Sequence, residues 1–159
     1  QMKSNIKNVL ALFLKCMIDL HQNGIIHRDI HIKNLLYNPE IERASICDFE
    51  YAIYENENKY KKKEDVGIDL YRAPEISQKG VSFASDLFAL GMSFLILLQS
   101  GNPVKIFYEE TCHKRIEELA ISADLKTVLK TMTKWNPEER KTAEQCLKMM
   151  EGHPAELAL

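Results

Sequence analysis

Residues 25–37 read Ile25-Ile26-His27-Arg28-Asp29-Ile30-His31-Ile32-Lys33-Asn34-Leu35-Leu36-Tyr37. Two short apolar runs, Ile25-Ile26 and Leu35-Leu36-Tyr37, bracket a polar stretch, and such runs are strand candidates. Asp29 and Asn34 stand five apart on the loop between them. A further strand candidate, Ala44-Ser45-Ile46-Cys47, follows a turn at Asn38-Pro39 and delivers Asp48. Two carboxylates and an amide are oxygen donors, which suit Mg²⁺, a hard cation that keeps some of its waters. Phosphoryl transfer needs little covalent help; it needs a nucleophile held in line and developing charge neutralised. One carboxylate to orient a hydroxyl, plus an Asn and an Asp on metal, is a sufficient local kit for that chemistry.

Outward from this stretch the pattern is mostly helical. Ile6, Val9, Leu10, Phe13, Leu14 and Met17 recur at helical spacing, with Ser4 or Asn5 as N-cap and Asn23-Gly24 as the stop. Residues 50–69 are polar and include Lys59, Lys61, Lys62 and Lys63, which predicts an exposed, mobile loop with a solvated lysine cluster. Pro74 interrupts any helix there. Residues 85–98 are apolar on every side, the pattern of a central helix covered by its neighbours. Gly101-Asn102-Pro103 breaks it, residues 104–119 are amphipathic and charged, and 123–135 and 142–150 are two more helices separated by Asn136-Pro137. Helix, short strands, long loop, then only helices makes a mainly helical α+β domain. His21, His113 and His153 have no ligand partners at useful spacing and read as surface residues.

Of 159 residues, 45% are hydrophobic and 28% charged. That balance excludes a disordered, collagen-like or disulfide-scaffold chain and predicts one globular domain with a real core. The net charge of −2 gives no reason to expect nucleic acid or a membrane surface as a partner. Cys16, Cys47, Cys112 and Cys146 form no CxxC pair and read as reduced thiols of an intracellular protein. The opening Gln1-Met2-Lys3-Ser4-Asn5 does not read as a signal peptide, and residues 83–98 contain Asp86 and are short for a membrane span. A chain that opens on Gln reads as a fragment or a processed product.

Five motifs now fall in order. His27-Arg28-Asp29-Ile30-His31-Ile32-Lys33-Asn34 resembles the catalytic loop of protein kinases, H-R-D-x-x-x-x-N. Cys47-Asp48-Phe49-Glu50 resembles the metal-binding D-F-G, with Glu for Gly. Tyr71-Arg72-Ala73-Pro74-Glu75 is similar to the A-P-E that closes the activation segment. Ser85-Asp86-Leu87-Phe88-Ala89-Leu90-Gly91 is similar to the S-D-x-W-x-x-G of the family's central helix, and Asn136-Pro137-Glu138-Glu139-Arg140 to its N-P-x-x-R. The resemblance covers residues 5–154 and identifies a partial protein kinase domain over 1–159. The fold it implies is mainly α (α+β), a protein-kinase-like C-terminal lobe with short β-hairpin strands around the catalytic loop.

The resemblance implies ATP and Mg²⁺ as cofactors and serine/threonine transfer to a protein substrate. Asp29 would accept or orient the hydroxyl proton, and Asn34 and Asp48 would hold Mg²⁺. Leu36 and Cys47 would line the nucleotide pocket beside them, Cys47 as a small apolar wall. Glu75 and Arg140 would form a buried ion pair clamping the activation segment. Asp86 would accept backbone N–H groups of the catalytic loop, in a framework that includes His27. A kinase or regulatory protein is a further candidate partner, with no nucleic acid and no membrane, in the cytoplasm with the nucleus left open. The glycine-rich loop, strand lysine and partner glutamate should precede the first helix; nothing before Ser4 holds them, so the N-terminal lobe is expected to be absent from this chain. Phosphates held by these residues alone would be uncradled.

Three departures matter. The family's Lys two residues after the catalytic Asp is His31 here, and its usual Thr partner is Ile68. Either catalysis is reduced, or Lys33, four residues after Asp29, supplies the cation, although an ammonium on another stem need not reach the same oxygen. His31 and Asp-Phe-Glu also resemble choline-type small-molecule kinases, and a lobe-only binding module is a further alternative. Glu50, lacking the freedom of glycine, should make a flip of its segment harder. Arg28 implies control by a phosphate, yet residues 48–75 contain no Ser or Thr. Either Tyr51, Tyr54, Tyr60 or Tyr71 carries the phosphate, or Glu64 or Asp65 supplies a fixed negative charge to Arg28; the second is expected, since it needs no upstream enzyme.

Overall fold

The computed structural model describes residues 5–57, 64 and 66–152. Helix α1 (Ile6–Gln22) buries Ile6, Val9, Leu10, Phe13, Leu14 and Met17, the stripe its spacing predicts. Asn5 is its N-cap residue but makes no side-chain capping bond. Gly24, at φ 73°, turns the chain into β1 (Ile25–Ile26). A 3-10 turn (Ile32–Asn34) then feeds β2 (Leu35–Asn38), which pairs antiparallel with β3 (Arg43–Ile46) in the register Leu35↔Ile46 to Asn38↔Arg43. Leu35, Tyr37, Ala44 and Ile46 face the core, which leaves Leu36 and Ser45 outside.

Residues 50–69 are not uniformly loop. Ile53 and Tyr54 form β4, antiparallel to β1, with Ile26 opposite Ile53. Two residues are too few to show alternation in the sequence, but Ile53 is buried with Ile26 and Val81 in a small second core. The lysine cluster and His153 lie outside the described residues. After Pro74 the chain makes a one-turn helix, α2 (Ile76–Lys79). The proline precedes this helix instead of interrupting it.

Helix α3 (Phe83–Leu98) is the centre of the molecule. It starts two residues earlier than its apolar run because Ser82 and Ser85 form a capping box. Ten of its residues, Asp86 included, are buried. Helices α4 (Glu109–Glu117), α5 (Ala123–Met132) and α6 (Ala143–Met150) complete the described chain. Helix α1 packs on α6 and β3, α3 on α5, and α5 on α4 and α6. Gly91 allows the α3–α5 approach, since a Cβ there would sit 2.8 Å from Thr133 Cγ2. Helix α4 begins later than the amphipathic pattern at 104–119: Val104, Phe107 and Tyr108 lie exposed on an extended lead-in. No helix among the described residues is long and apolar enough to cross a membrane.

Candidate active site

Two loops, residues 27–34 and 47–52, run between the same two ladders, β1–β4 at one end and β2–β3 at the other. They are laced together. His27 Nε2 donates to the Cys47 carbonyl at 2.8 Å, the Cys47 N–H donates to the Asn34 carbonyl at 2.9 Å, and Arg28 Nε donates to the Tyr51 carbonyl at 2.5 Å. The His27 and Phe49 rings meet edge-on with centroids 5.1 Å apart. Each loop has one non-glycine residue in the left-handed region, Arg28 (φ 71°) and Asp48 (φ 60°). Such backbone persists only where surroundings over-determine it.

Asp86 supplies that constraint for Arg28. Its carboxylate is 2% exposed and accepts the His27 N–H at 2.9 Å and the Arg28 N–H at 3.1 Å, as expected of it. A third donor escaped the sequence reading: His21 Nε2 lies 3.1 Å from Asp86 Oδ2, its ring against Phe83 at 4.5 Å. His21 is therefore not a free surface residue. The available signal was its spacing, because Leu14, Met17 and His21 lie on one helical stripe. A buried carboxylate is tolerable only with such donors around it.

Asp29 and Asn34 come together. Asn34 Nδ2 donates to the Asp29 carbonyl at 2.9 Å and to Asp29 Oδ2 at 3.3 Å. His31 Nε2 lies 3.1 Å from the same Nδ2, and Oδ1 accepts nothing among the described residues. Asp29 and Asn34 are buried. The His27 ring is fixed from both sides, because its Nδ1 accepts the Asp29 N–H at 3.1 Å. His31 is buried too, with Nδ1 accepting the Lys33 N–H at 3.2 Å. Lys33 itself is exposed, its ammonium without a partner among the described residues.

Asp48 is exposed and its chain is tied to Asn34 through Cys47, but no hydrogen bond joins its carboxylate to Asp29 or Asn34. Its Oδ1 accepts the Glu50 N–H at 3.3 Å. The left-handed conformation falls on Asp48 and not on Glu50, so glutamate costs nothing at position 50 in this arrangement. Leu36 is 52% exposed, on the outer face of the hairpin beside these loops, and Cys47 is half-buried.

The segment before Ala73-Pro74-Glu75 lies directly on the catalytic loop. Gly67 (φ 87°) is so close that a Cβ would come within 2.8 Å of the Arg28 carbonyl oxygen and 3.6 Å of Asp29 Oδ1. Arg28 Nη1 reaches Glu64 Oε2 at 3.4 Å, the guanidinium 4% and the carboxylate 48% exposed. Asp65 lies outside the described residues. The Tyr71 ring packs on His31, centroids 5.8 Å apart; burial raises the Tyr71 phenol's pKa, and a hydrogen bond to the Ile32 backbone opposes it. Glu75 and Arg140 meet in a bidentate pair, 2.6 and 2.9 Å. Ile68 is exposed.

Comparison with known proteins agrees with this geometry. The protein kinase domain family matches residues 2–150. The chain is 34% identical over 161 residues to the membrane-associated tyrosine- and threonine-specific cdc2-inhibitory kinase of Drosophila melanogaster, covering 96% of this chain and 28% of that protein. It is 31% identical to calcium-dependent protein kinase 19 of Arabidopsis thaliana, over 89% of this chain and 27% of the relative. To serine/threonine-protein kinase KIC1 of Saccharomyces cerevisiae it is 28% identical, over 90% and 14% respectively. The chain thus spans less than a third of these relatives' length. With the catalytic loop, the D-F-x turn, the A-P-E clamp and the buried helix Asp all in mutual contact order, the chain belongs to the protein kinase domain family.

Proposed function

We propose that this chain provides the catalytic-loop half of an enzyme that transfers the γ-phosphate of ATP to a serine or threonine hydroxyl of a protein substrate, with Mg²⁺. The observation that carries the reading is the double grip of Asn34 Nδ2 on Asp29. It fixes the carboxylate that would orient the hydroxyl and turns Asn34 Oδ1 free for a cation.

The donor set fits Mg²⁺. Among the described residues no three His, Cys, Asp or Glu side chains form a cation cluster. Asn34 Oδ1 and the exposed Asp48 carboxylate are oxygen donors of the number Mg²⁺ takes from protein when phosphates and water supply the rest. Bound there, the ion would neutralise charge on the transferred phosphoryl group. Leu36 offers an exposed apolar surface for the adenine, and Cys47 a small wall beside it. Lys33, without a partner among the described residues, is placed for an anionic oxygen of the substrates. Asp29 takes or orients the hydroxyl proton, a role worth about 10²–10⁴-fold in rate. The Glu75–Arg140 clamp, which the family resemblance ties to protein kinases, favours a protein substrate over a small alcohol. Four thiols without disulfides go with a reducing compartment, cytoplasm or nucleus.

Radiolabelled ATP with a panel of Ser-, Thr- and Tyr-containing peptides and choline tests the reading on the full protein. Transfer to hydroxyl peptides that falls at least 100-fold in Asp29→Asn and demands more Mg²⁺ in Asp48→Asn supports it. Transfer to choline, or an Asp29→Asn variant as active as wild type, rejects it.

A further inference from the structure

His31 touches both Asp29 and Asn34, and its ring carries the Tyr71 ring of the overlying segment. The backbone settles its proton. The Lys33 N–H points at Nδ1, 3.2 Å away, so Nδ1 is the acceptor and the neutral ring bears its hydrogen on Nε2. Two groups lie near Nε2. Asn34 Nδ2 is 3.1 Å off and donates to Asp29, so with the hydrogen on Nε2 this is a contact between two donors. Asp29 Oδ1, 3.5 Å off, is the nearby acceptor, in contact range but not hydrogen-bonded in this structure. Catalytic hydrogen bonds tighten when substrate binds.

We infer that His31 is a positioning residue for Asp29: its Nε2–H steadies Oδ1 while Asn34 steadies Oδ2, and the Tyr71 ring holds the imidazole in place. The two carboxylate oxygens are thereby distinguished, each by its own donor. The side-chain ring contact between His31 and Tyr71 also joins the catalytic loop to the 3-10 turn at Asp69–Tyr71, so the order of that turn is transmitted to the base. His31 and Ile68 then do not mark a lost contact; the two segments meet through an aromatic pair instead of a polar one. The inference rests on the phosphotransfer reading for its kinetic consequences and on the tautomer for its geometry.

His31 also caps the 3-10 turn through Nδ1, and a purely structural role would stop there. Two substitutions separate the roles in the full protein. His31→Asn keeps an acceptor for the Lys33 N–H and loses the group facing Asp29; His31→Gln puts an N–H further out. The expected result is His31→Asn with wild-type melting temperature and KM for ATP but kcat lowered about 10–100-fold, the range for loss of a supporting partner, with His31→Gln recovering part of it. Tyr71→Leu should lower kcat in wild type and change nothing further in His31→Asn. Wild-type kcat in His31→Asn would overturn the inference. Nitrogen-15 spectra of the histidine side chains give a readout free of turnover: the His31 signals, identified by their loss in His31→Gln, should report protonated Nε2 and bare Nδ1. The opposite tautomer overturns the inference. Absence of turnover in wild type, with Asp29→Asn indistinguishable from it, instead rejects phosphotransfer and leaves the tautomer as the test of geometry.

Discussion

Arg140 uses all five of its N–H groups, and Glu75 takes two of them. Nη1 donates to Glu75 Oε1 and the Ala84 carbonyl, Nη2 to Glu75 Oε2 and the Trp135 carbonyl, and Nε to the Lys134 carbonyl. The guanidinium lies 4.8 Å from the Phe88 ring centroid and its side chain is fully shielded. Residues 65 positions apart are thus joined through a fully satisfied buried cation.

Removing one side of that pair should be worse than removing both. Arg140→Met leaves the Glu75 carboxylate buried without its cation, a loss of about 3–5 kcal/mol. The double variant Glu75→Leu/Arg140→Met should lose distinctly less. Urea denaturation of wild type, both singles and the double closes the cycle, and additive losses would contradict the assignment.

Gly67→Ala should act locally. The methyl group would need a left-handed backbone, costing about 1–2 kcal/mol, and would collide with the Arg28 carbonyl oxygen at 2.8 Å. The 66–71 segment should lift from the catalytic loop. Hydrogen exchange should speed up at the amides of 66–72 while α1 and α3 keep their protection.

Glu64→Gln tests whether a fixed carboxylate serves Arg28. Glu64 is 48% exposed, so its pairing is screened and worth less than about 1 kcal/mol. The global melting temperature should stay put. Proteolysis of the 64–72 segment should rise with salt in wild type and rise less steeply in Glu64→Gln. Phosphatase treatment should leave wild-type activity unchanged; a loss of activity would assign the charge to a phosphate on Tyr51, Tyr54, Tyr60 or Tyr71, since residues 48–75 have no Ser or Thr.

His113 makes the fold acid-sensitive. Burial lowers its pKa below the ordinary 6.5, with Glu109 pulling the other way, and its Nε2 is buried without a hydrogen-bond partner among the described residues. In the unfolded chain the ring protonates as pH falls through 6.5; in the folded protein it resists, so the unfolded state binds more protons and stability drops with falling pH. His113→Phe should flatten stability between pH 7 and pH 5. An unchanged slope in urea melts across that window would place the acid sensitivity elsewhere.

How far the sequence reached depended on whether a segment's structure was local. Helix α1 announced itself because one stripe of apolar residues suffices, and β2 and β3 because each has four residues either side of a turn. Strand β4 did not, since Ile53 and Tyr54 become a strand only by meeting Ile25 and Ile26. The same limit applied within the site. Asp29, Asn34, Asp48, Asp86, Glu75 and Arg140 were singled out through motif order, and the structure gives the side chain of each but Asp48 a hydrogen-bond partner in another motif or in the catalytic loop. His21 was taken for a surface residue because its partner lies 65 residues away. The left-handed backbone at Asp48 was likewise hidden, and the burden expected at Glu50 falls two residues earlier.

The lacing of loops 27–34 and 47–52 sets a rule about length. Both loops depart from one ladder and arrive at the other, and a strand shifted by one residue turns every side chain to the opposite face. An insertion or deletion in either loop would throw the two ladders out of phase and swing Asp29 or Asp48 away. The turn at 39–42 is under no such demand, because it joins the far ends of a single hairpin. Point changes such as His31 or Glu50 can therefore accumulate in these loops over evolutionary time, while indels between Ile25 and Tyr54 have one harbour, at the hairpin tip.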